Sequence, residues 1–182
     1  MIEYTDNELL LQFRDEQTRN FAFNQLVRKY QERLYYHVRK IVIDHDDAHD
    51  VIQNVFIKVW KHLDDFKEES GLYTWLYRIA TNEALTFLRK KKKNIFVRMD
   101  DVMHEMSDSL SHDPLFSGDG IQRKLQEAIL KLPEQQRIVF NMKYFEEMKY
   151  EEISEILGVS VGGLKASFHH AVKKIEKFIK GD

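Results

Sequence analysis

The feature that most restricts the fold is a spacing. Between residues 48 and 63 the apolar side chains Ala48, Val51, Ile52, Val55, Phe56, Val59, Trp60 and Leu63 recur every three or four positions almost without interruption. Such a set closes into one stripe on a helix and has the wrong period for a half-buried strand. Asn20 to Val42 repeats the pattern through Phe23, Leu26, Val27, Tyr30, Leu34 and Val38. Alternation of β-branched residues at period two is hard to find, and 7 Gly and 2 Pro leave few turns. The expected fold class is therefore all-α.

The remaining elements follow from the same reading. A short helix is predicted near Thr5 to Phe13, a helix start at Asp44 to Asp47, and a further helix over about Leu72 to Lys91. Downstream, Ile121 to Leu130 and Glu134 to Phe145 read as helices, with Pro133 where a first turn tolerates it. Tyr150 to Leu157, Gly158, Ser160 and a helix to Ile179 then give the order of a helix-turn-helix: short helix, glycine-bearing turn, serine N-cap, long amphipathic helix. Ile153, Ile156, Leu157, Leu164, Phe168, Ala171, Val172 and Ile175 are expected to join its helices. Lys165, Ser167, His169, His170 and Lys173 are left for the outer or groove side.

Charge divides the chain. Residues 1–92 carry 15 basic and 15 acidic side chains, residues 93–122 carry 2 and 6, and residues 123–182 carry 11 and 9, so the net charge of −2 conceals an acid excess in the middle. Asn94 to Gly120 adds Ser, Pro114, Gly118 and Gly120 and lacks a sustained apolar stripe. Such a stretch cannot easily bury a core and reads as a flexible acidic linker over 94–122, with a helical turn around Val102 to Met106. Two small helical domains, 1–93 and 123–182, are expected on either side. The absence of cysteine excludes a disulfide framework, a thiol nucleophile and a thiolate metal site. No run approaches the ~18 apolar residues of a membrane span, and Met1 to Asn7 is acidic and polar, so direct membrane insertion is not expected and the cytoplasm is the expected location.

Two constellations carry candidate chemistry. His45 and His49, like Asp46 and Asp50, are one helical turn apart, a spacing compatible with a metal-dependent phosphohydrolase. Acidic residues at a helix start are equally what capping and the helix dipole favour, and no other segment offers a further ligand set; neither metal nor cofactor is expected. On the helix from Leu72, the residues Leu72, Leu76, Ile79, Ala80 and Phe87 fall on the core side. Thr74, Arg78, Thr81, Asn82 and Arg89 share the opposite arc, with Trp75 at its edge. A cationic, amide-bearing face bordered by aromatic rings suits single-stranded nucleic acid, where phosphates meet Arg and unstacked bases meet rings or amides. The alternative is an ordinary solvated face; the basic run Arg89 to Lys93 favours nucleic acid.

Together these elements resemble a bacterial RNA polymerase sigma factor of the extracytoplasmic-function type, over roughly residues 20–180. Asp47, Ala48, Asp50, Gln53, Phe56 and Trp60 match the family pattern Asp-Ala-x-Asp-x-x-Gln-x-x-Phe-x-x-x-Trp. Tyr73-Thr74-Trp75-Leu76-Tyr77-Arg78-Ile79-Ala80-Thr81-Asn82 is similar to the promoter-melting helix, and Leu132-Pro133-Glu134-Gln135-Gln136-Arg137 to the opening of the second domain. The resemblance implies a non-enzymatic, dissociable initiation subunit whose partners are core RNA polymerase, through its clamp helices and flap, and promoter DNA. A membrane-associated anti-sigma factor is a further partner that the family allows. The family's polymerase-docking positions fall on Asp47, Asp50, Gln53 and Asn54. Recognition and melting of the minus-ten element fall to the loop Asp64 to Gly71 and the following helix. Phe66, Arg78, Asn82 and Thr86 are placed around an extruded base, and Tyr73, Trp75, Arg89 and Lys90 on the same surface. Reading of the minus-thirty-five element falls on Ser160, Gly163, Lys165, Ala166, Ser167, His169, His170 and Lys173.

The helix-turn-helix departs from the family pattern. Where Gly-Thr-Val-Lys-Ser-Arg and a further Arg are common, this chain has Gly162-Gly163-Leu164-Lys165-Ala166-Ser167 followed by His169-His170. Two guanidiniums are missing, so readout must rest more on Lys165, on the helix N-terminus at phosphate and on DNA shape. A stand-alone helix-turn-helix repressor is the competing reading. It accounts for the last segment but not for the Asp50/Gln53 pattern or the helix from Leu72.

Overall fold

A computed structural model describes residues 4–94 and 120–181. The segment expected to be a linker, and the helical turn expected at Val102 to Met106, lie almost wholly or wholly outside the described residues. Every regular element among the described residues is helical: α1 (Asp6–Arg14), α2 (Arg19–Val42), α3 (His45–His62), α4 (Leu72–Asn94), α5 (Gly120–Leu130), α6 (Glu134–Tyr144), α7 (Tyr150–Leu157) and α8 (Val161–Lys180). The chain separates into two compact units that divide between Phe87 and Leu88, within α4.

In the first unit, α1 opens with a reciprocal cap. The Glu8 N–H donates to Thr5 Oγ1 (3.3 Å) and the Thr5 N–H to the Glu8 carboxylate (2.7 Å), which holds that carboxyl below its ordinary pKa. Leu9, Leu10 and Phe13 are buried, and Lys29 Nζ and the Tyr30 hydroxyl both reach Asp6 at 2.8 Å, fastening α1 to α2. The stripe predicted for α2 is buried at Leu26, Tyr30, Leu34 and Val38. Asp44 caps α3 by accepting from the Asp47 N–H (2.9 Å), and Ala48, Val51, Val55 and Val59 are buried beneath it. Trp60 stands edge-on to Phe13 (5.4 Å between centroids) and Phe23 (5.0 Å), so aromatic rings close the junction of α1, α2 and α3.

The helix from Leu72 buries a different arc from the one expected. Leu72, Leu76 and Ala80 are inside as predicted, but so are Thr74, Tyr77, Thr81 and Ala84, with Thr81 at 0% exposure. The reason is a polar contact that periodicity cannot reveal: Thr81 Oγ1 lies 2.8 Å from His37 Nε2 on α2 and donates to the Tyr77 carbonyl (2.7 Å). Thr74 and Thr81 therefore belong to the interior, not to the outer face, while Ile79 and Phe87 are half-buried.

In the second unit α5, α6 and α7 all pack on α8. Ala128, Ile129 and Leu132 meet Phe140, Ala171 and Ile175 in one core, flanked by Leu125, Phe168, Val172 and Phe178. Pro133 is the N-cap of α6, one position before the expected first turn. Gly158 ends α7 at φ 66°, a left-handed cap that an L side chain would strain, and Ser160 then caps α8. Ile153, Ile156, Leu164, Ala171 and Ile175 are buried and Leu157, Phe168 and Val172 half-buried, as the helix-turn-helix reading requires. Arg137 is buried on α6, and desolvation pulls its guanidinium below its ordinary pKa, with Glu134 opposing.

Candidate nucleic-acid interface

On α4 the exposed or half-buried Trp75, Arg78, Asn82, Thr86 and Arg89 fall within an arc of roughly 80° at the helical repeat, opposite the buried arc. Arg78 and Asn82, one turn apart, are both exposed. Lys90 is exposed just beyond this arc. Two expected members lie elsewhere. Tyr73 projects on the other side of α4, its ring 4.3 Å from that of the buried Tyr77. Phe66 is only 6% exposed, its ring 5.2 Å from that of Trp75. Phe66 therefore backs Trp75 from below and presents little ring to a base; the half-buried Trp75 is the aromatic surface of this face.

On α3 the side opposite the buried valines carries Asp46, Asp50, Gln53, Asn54 and Lys61, all exposed. Asn54 Nδ2 donates to the Asp50 carbonyl at 3.0 Å, while Asp47 is half-buried at the capped first turn. The sequence reading missed Ile57, which is 53% exposed in the middle of this polar face. Its signal was available: Ile57 is the isoleucine of this helix left off the three-four stripe. His45 and His49 are engaged otherwise than as a ligand set, His45 Nδ1 lying 2.6 Å from the Tyr35 hydroxyl and the two imidazoles packing edge to face. Among the described residues no group of three or more His, Cys, Asp or Glu is placed to hold a metal ion.

In the second unit Ser160 Oγ accepts from the Gly163 N–H (3.2 Å), and a Cβ at Gly163 would come within 3.3 Å of that same oxygen. Both residues thus build the start of α8. Lys165, Ala166, His169, His170 and Lys173 are exposed beyond it and Ser167 is half-buried on the flank toward the core. Lys165 Nζ lies 5.8 Å from the Tyr150 ring, which also receives Lys143 Nζ at 5.1 Å. Tyr150 opens α7, the first helix of the expected helix-turn-helix, and Lys143 lies on α6 before it; neither was among the residues expected to face DNA.

The family model for Sigma-70 region 2 matches residues 26–94 and that for Sigma-70 region 4 matches residues 122–175. The first of these covers the part of the chain that a stand-alone repressor leaves unexplained. The ECF RNA polymerase sigma factor SigW of Bacillus subtilis is 30% identical, over 87% of this chain and 89% of its own. The ECF RNA polymerase sigma-E factor of Haemophilus influenzae is 30% identical over 99% and 98% of the two chains. Among solved structures, CnrH in complex with the cytosolic domain of CnrY shares the fold at a TM-score of 0.68 and 24% identity, over 97% of this chain and 99% of that one. The sigma factor RpoE of Bartonella quintana, solved with the anti-sigma factor NepR, matches at 0.68 and 22% identity, over 88% and 98%. Two polar faces on a region 2 fold, a helix-turn-helix matching region 4 and full-length relatives at this identity establish that the chain belongs to the extracytoplasmic-function RNA polymerase sigma factors.

Proposed function

We propose that the exposed side of α3 docks on the clamp helices of core RNA polymerase, that α4 receives the melted minus-ten strand, and that α8 reads the minus-thirty-five element. The protein then acts as a non-catalytic cytoplasmic subunit that gives the polymerase its promoter. The observation that carries this reading is the pairing of exposed Arg78 and Asn82 on one turn of α4, beside Trp75 and away from the buried arc. A guanidinium, an amide and a ring edge meet the phosphate, base edge and base face that become available only after unstacking. Asp50, Gln53, Asn54 and Ile57 form the docking surface, a polar rim around one apolar contact. The functional division is proposed as 1–93, 94–122 and 123–182, so that α4 up to Lys93 belongs to the minus-ten unit. An anti-sigma factor is a further proposed partner, supported by the fold shared with a sigma factor solved in such a complex.

Transcription from a promoter library by purified core polymerase tests the proposal. Initiation at a defined subset of promoters only when this protein is added is the expected result. No dependence on the protein would overturn it.

A further inference from the structure

The loop between α3 and α4 is held from outside the region 2 match. Arg14 at the end of α1 pairs with Glu68 (Nη2 to Oε1, 2.8 Å), and Arg19 at the start of α2 pairs with Asp64. Both arginines precede residue 26, where the match begins. The corner that carries them is stiff: the Thr18 hydroxyl donates to the Gln12 carbonyl (2.7 Å), the Gln17 N–H to Asp15 (3.0 Å), and Phe13 is buried. The Arg19 guanidinium is seated 4.3 Å from the Phe13 ring and 5.4 Å from the Trp60 ring. The loop itself takes Glu68 through φ 58° and supports Trp75 through Phe66. It leads directly into the turn of α4 that carries Trp75 and Arg78.

From these contacts we propose that Arg14 and Arg19 are positioning residues for promoter melting. They clamp the two ends of loop 64–68 to the α1–α2 corner and so fix Phe66, and through it Trp75, against the minus-ten strand. The inference rests on the minus-ten reading of α4. The Arg14–Glu68 pair is solvent-exposed on both sides, which makes it a weak contributor to global stability and leaves the placement of the loop as its main consequence, while Arg19 is half-buried against the Phe13 and Trp60 rings.

The test uses the full-length protein with core polymerase and a promoter that it transcribes, comparing Arg14→Glu, Glu68→Arg, the double variant carrying both, and Arg78→Ala/Asn82→Ala. Permanganate reactivity of the melted thymines, core affinity and thermal unfolding are measured for each. Each single reversal is expected to lower open-complex formation by about two- to fivefold, the range that a surface pair's coupling corresponds to, with core affinity and unfolding unchanged. The double variant, which restores opposite charges, is expected to recover most of the loss; a merely structural weakening would not be rescued in this way. Undiminished melting in the single variants while Arg78→Ala/Asn82→Ala fails to melt overturns the positioning role alone, as does a double variant no better than the singles. Normal melting by Arg78→Ala/Asn82→Ala overturns the minus-ten reading and this inference with it.

Discussion

The His37 imidazole and the Thr81 hydroxyl meet across the α2–α4 contact, 2.8 Å apart and both buried. Because Thr81 spends its one proton on the Tyr77 carbonyl, it can only accept from His37, which fixes Nε2 as the protonated nitrogen. Thr81→Val keeps the shape and removes the acceptor, leaving a buried N–H without its partner. The expected cost is about 1–3 kcal/mol, read as a lower urea midpoint at unchanged slope. Below the unfolding midpoint, core binding and promoter melting should be retained, because Thr81 does not reach the outer face of α4.

A second, partly buried polar contact makes stability depend on pH at the alkaline end. The Tyr30 hydroxyl donates to both Asp6 carboxylate oxygens at 2.8 Å. Burial first, and then this hydrogen bond and the Asp6 charge, raise the phenol well above the ordinary tyrosine range. The folded state holds its proton more tightly than the unfolded chain. The stabilisation is therefore complete below the unfolded value of about 10 and is lost as pH rises toward the folded one. Urea unfolding at about pH 8 and about pH 11 should show a loss of stability in the wild type that Tyr30→Phe reduces, since the variant has no phenol to ionise.

How much of this was legible in the sequence depends on what kind of contact positions each residue. The apolar stripes of α2, α3 and α8 were, because burying one face of an amphipathic helix imposes the three-four spacing directly. Asp44 and Ser160 were legible as caps because a side-chain oxygen at a helix start has a local, short-range job. Thr74 and Thr81 were not: threonine on a helix is equally suited to solvent or to a buried partner, and the partner of Thr81 is His37, 44 positions away. Phe66 and Tyr73 were put on this face by the family resemblance: the helical repeat alone sets Tyr73 on the other side of α4 from Trp75, whereas the cover that Trp75 gives to Phe66, in the preceding loop, has no sequence signal. Ile57 could have been found by asking which apolar residue the stripe leaves out.

The proposed docking face on α3 leads to a prediction about affinity rather than stability. Asp50 and Ile57 are exposed on one side of α3, away from Val51, Val55 and Val59. Asp50→Arg and Ile57→Glu should each weaken core polymerase binding about tenfold or more, equivalent to roughly 1.4 kcal/mol, with unfolding within about 0.5 kcal/mol of wild type. Titration of labelled protein with core polymerase measures the first and urea unfolding the second. Full core affinity in both variants would remove α3 from the interface.

The last prediction concerns the division of labour between the two units. Residues 123–182 carry 11 basic and 9 acidic side chains, and the positions where the family commonly has arginines hold Ser167 and histidines. Affinity for duplex DNA comes largely from cationic contacts that release counterions, so this segment alone offers few of them. Lys165 is the exposed cation nearest the start of α8, and it shares the Tyr150 ring with Lys143, which concentrates positive charge at one point of the surface. Free full-length protein should bind promoter duplex weakly and with marked salt sensitivity. Joined to polymerase through the first unit, the same contacts act at a high effective concentration and suffice. Lys165→Ala should therefore impair initiation at promoters with a matched minus-thirty-five element while leaving core binding unchanged, and loss of one phosphate contact should flatten the salt slope by about one unit. Gel shifts across a salt series, with and without core polymerase, measure both. Tight sequence-specific binding of duplex by the free protein at physiological salt would contradict this division and favour a repressor.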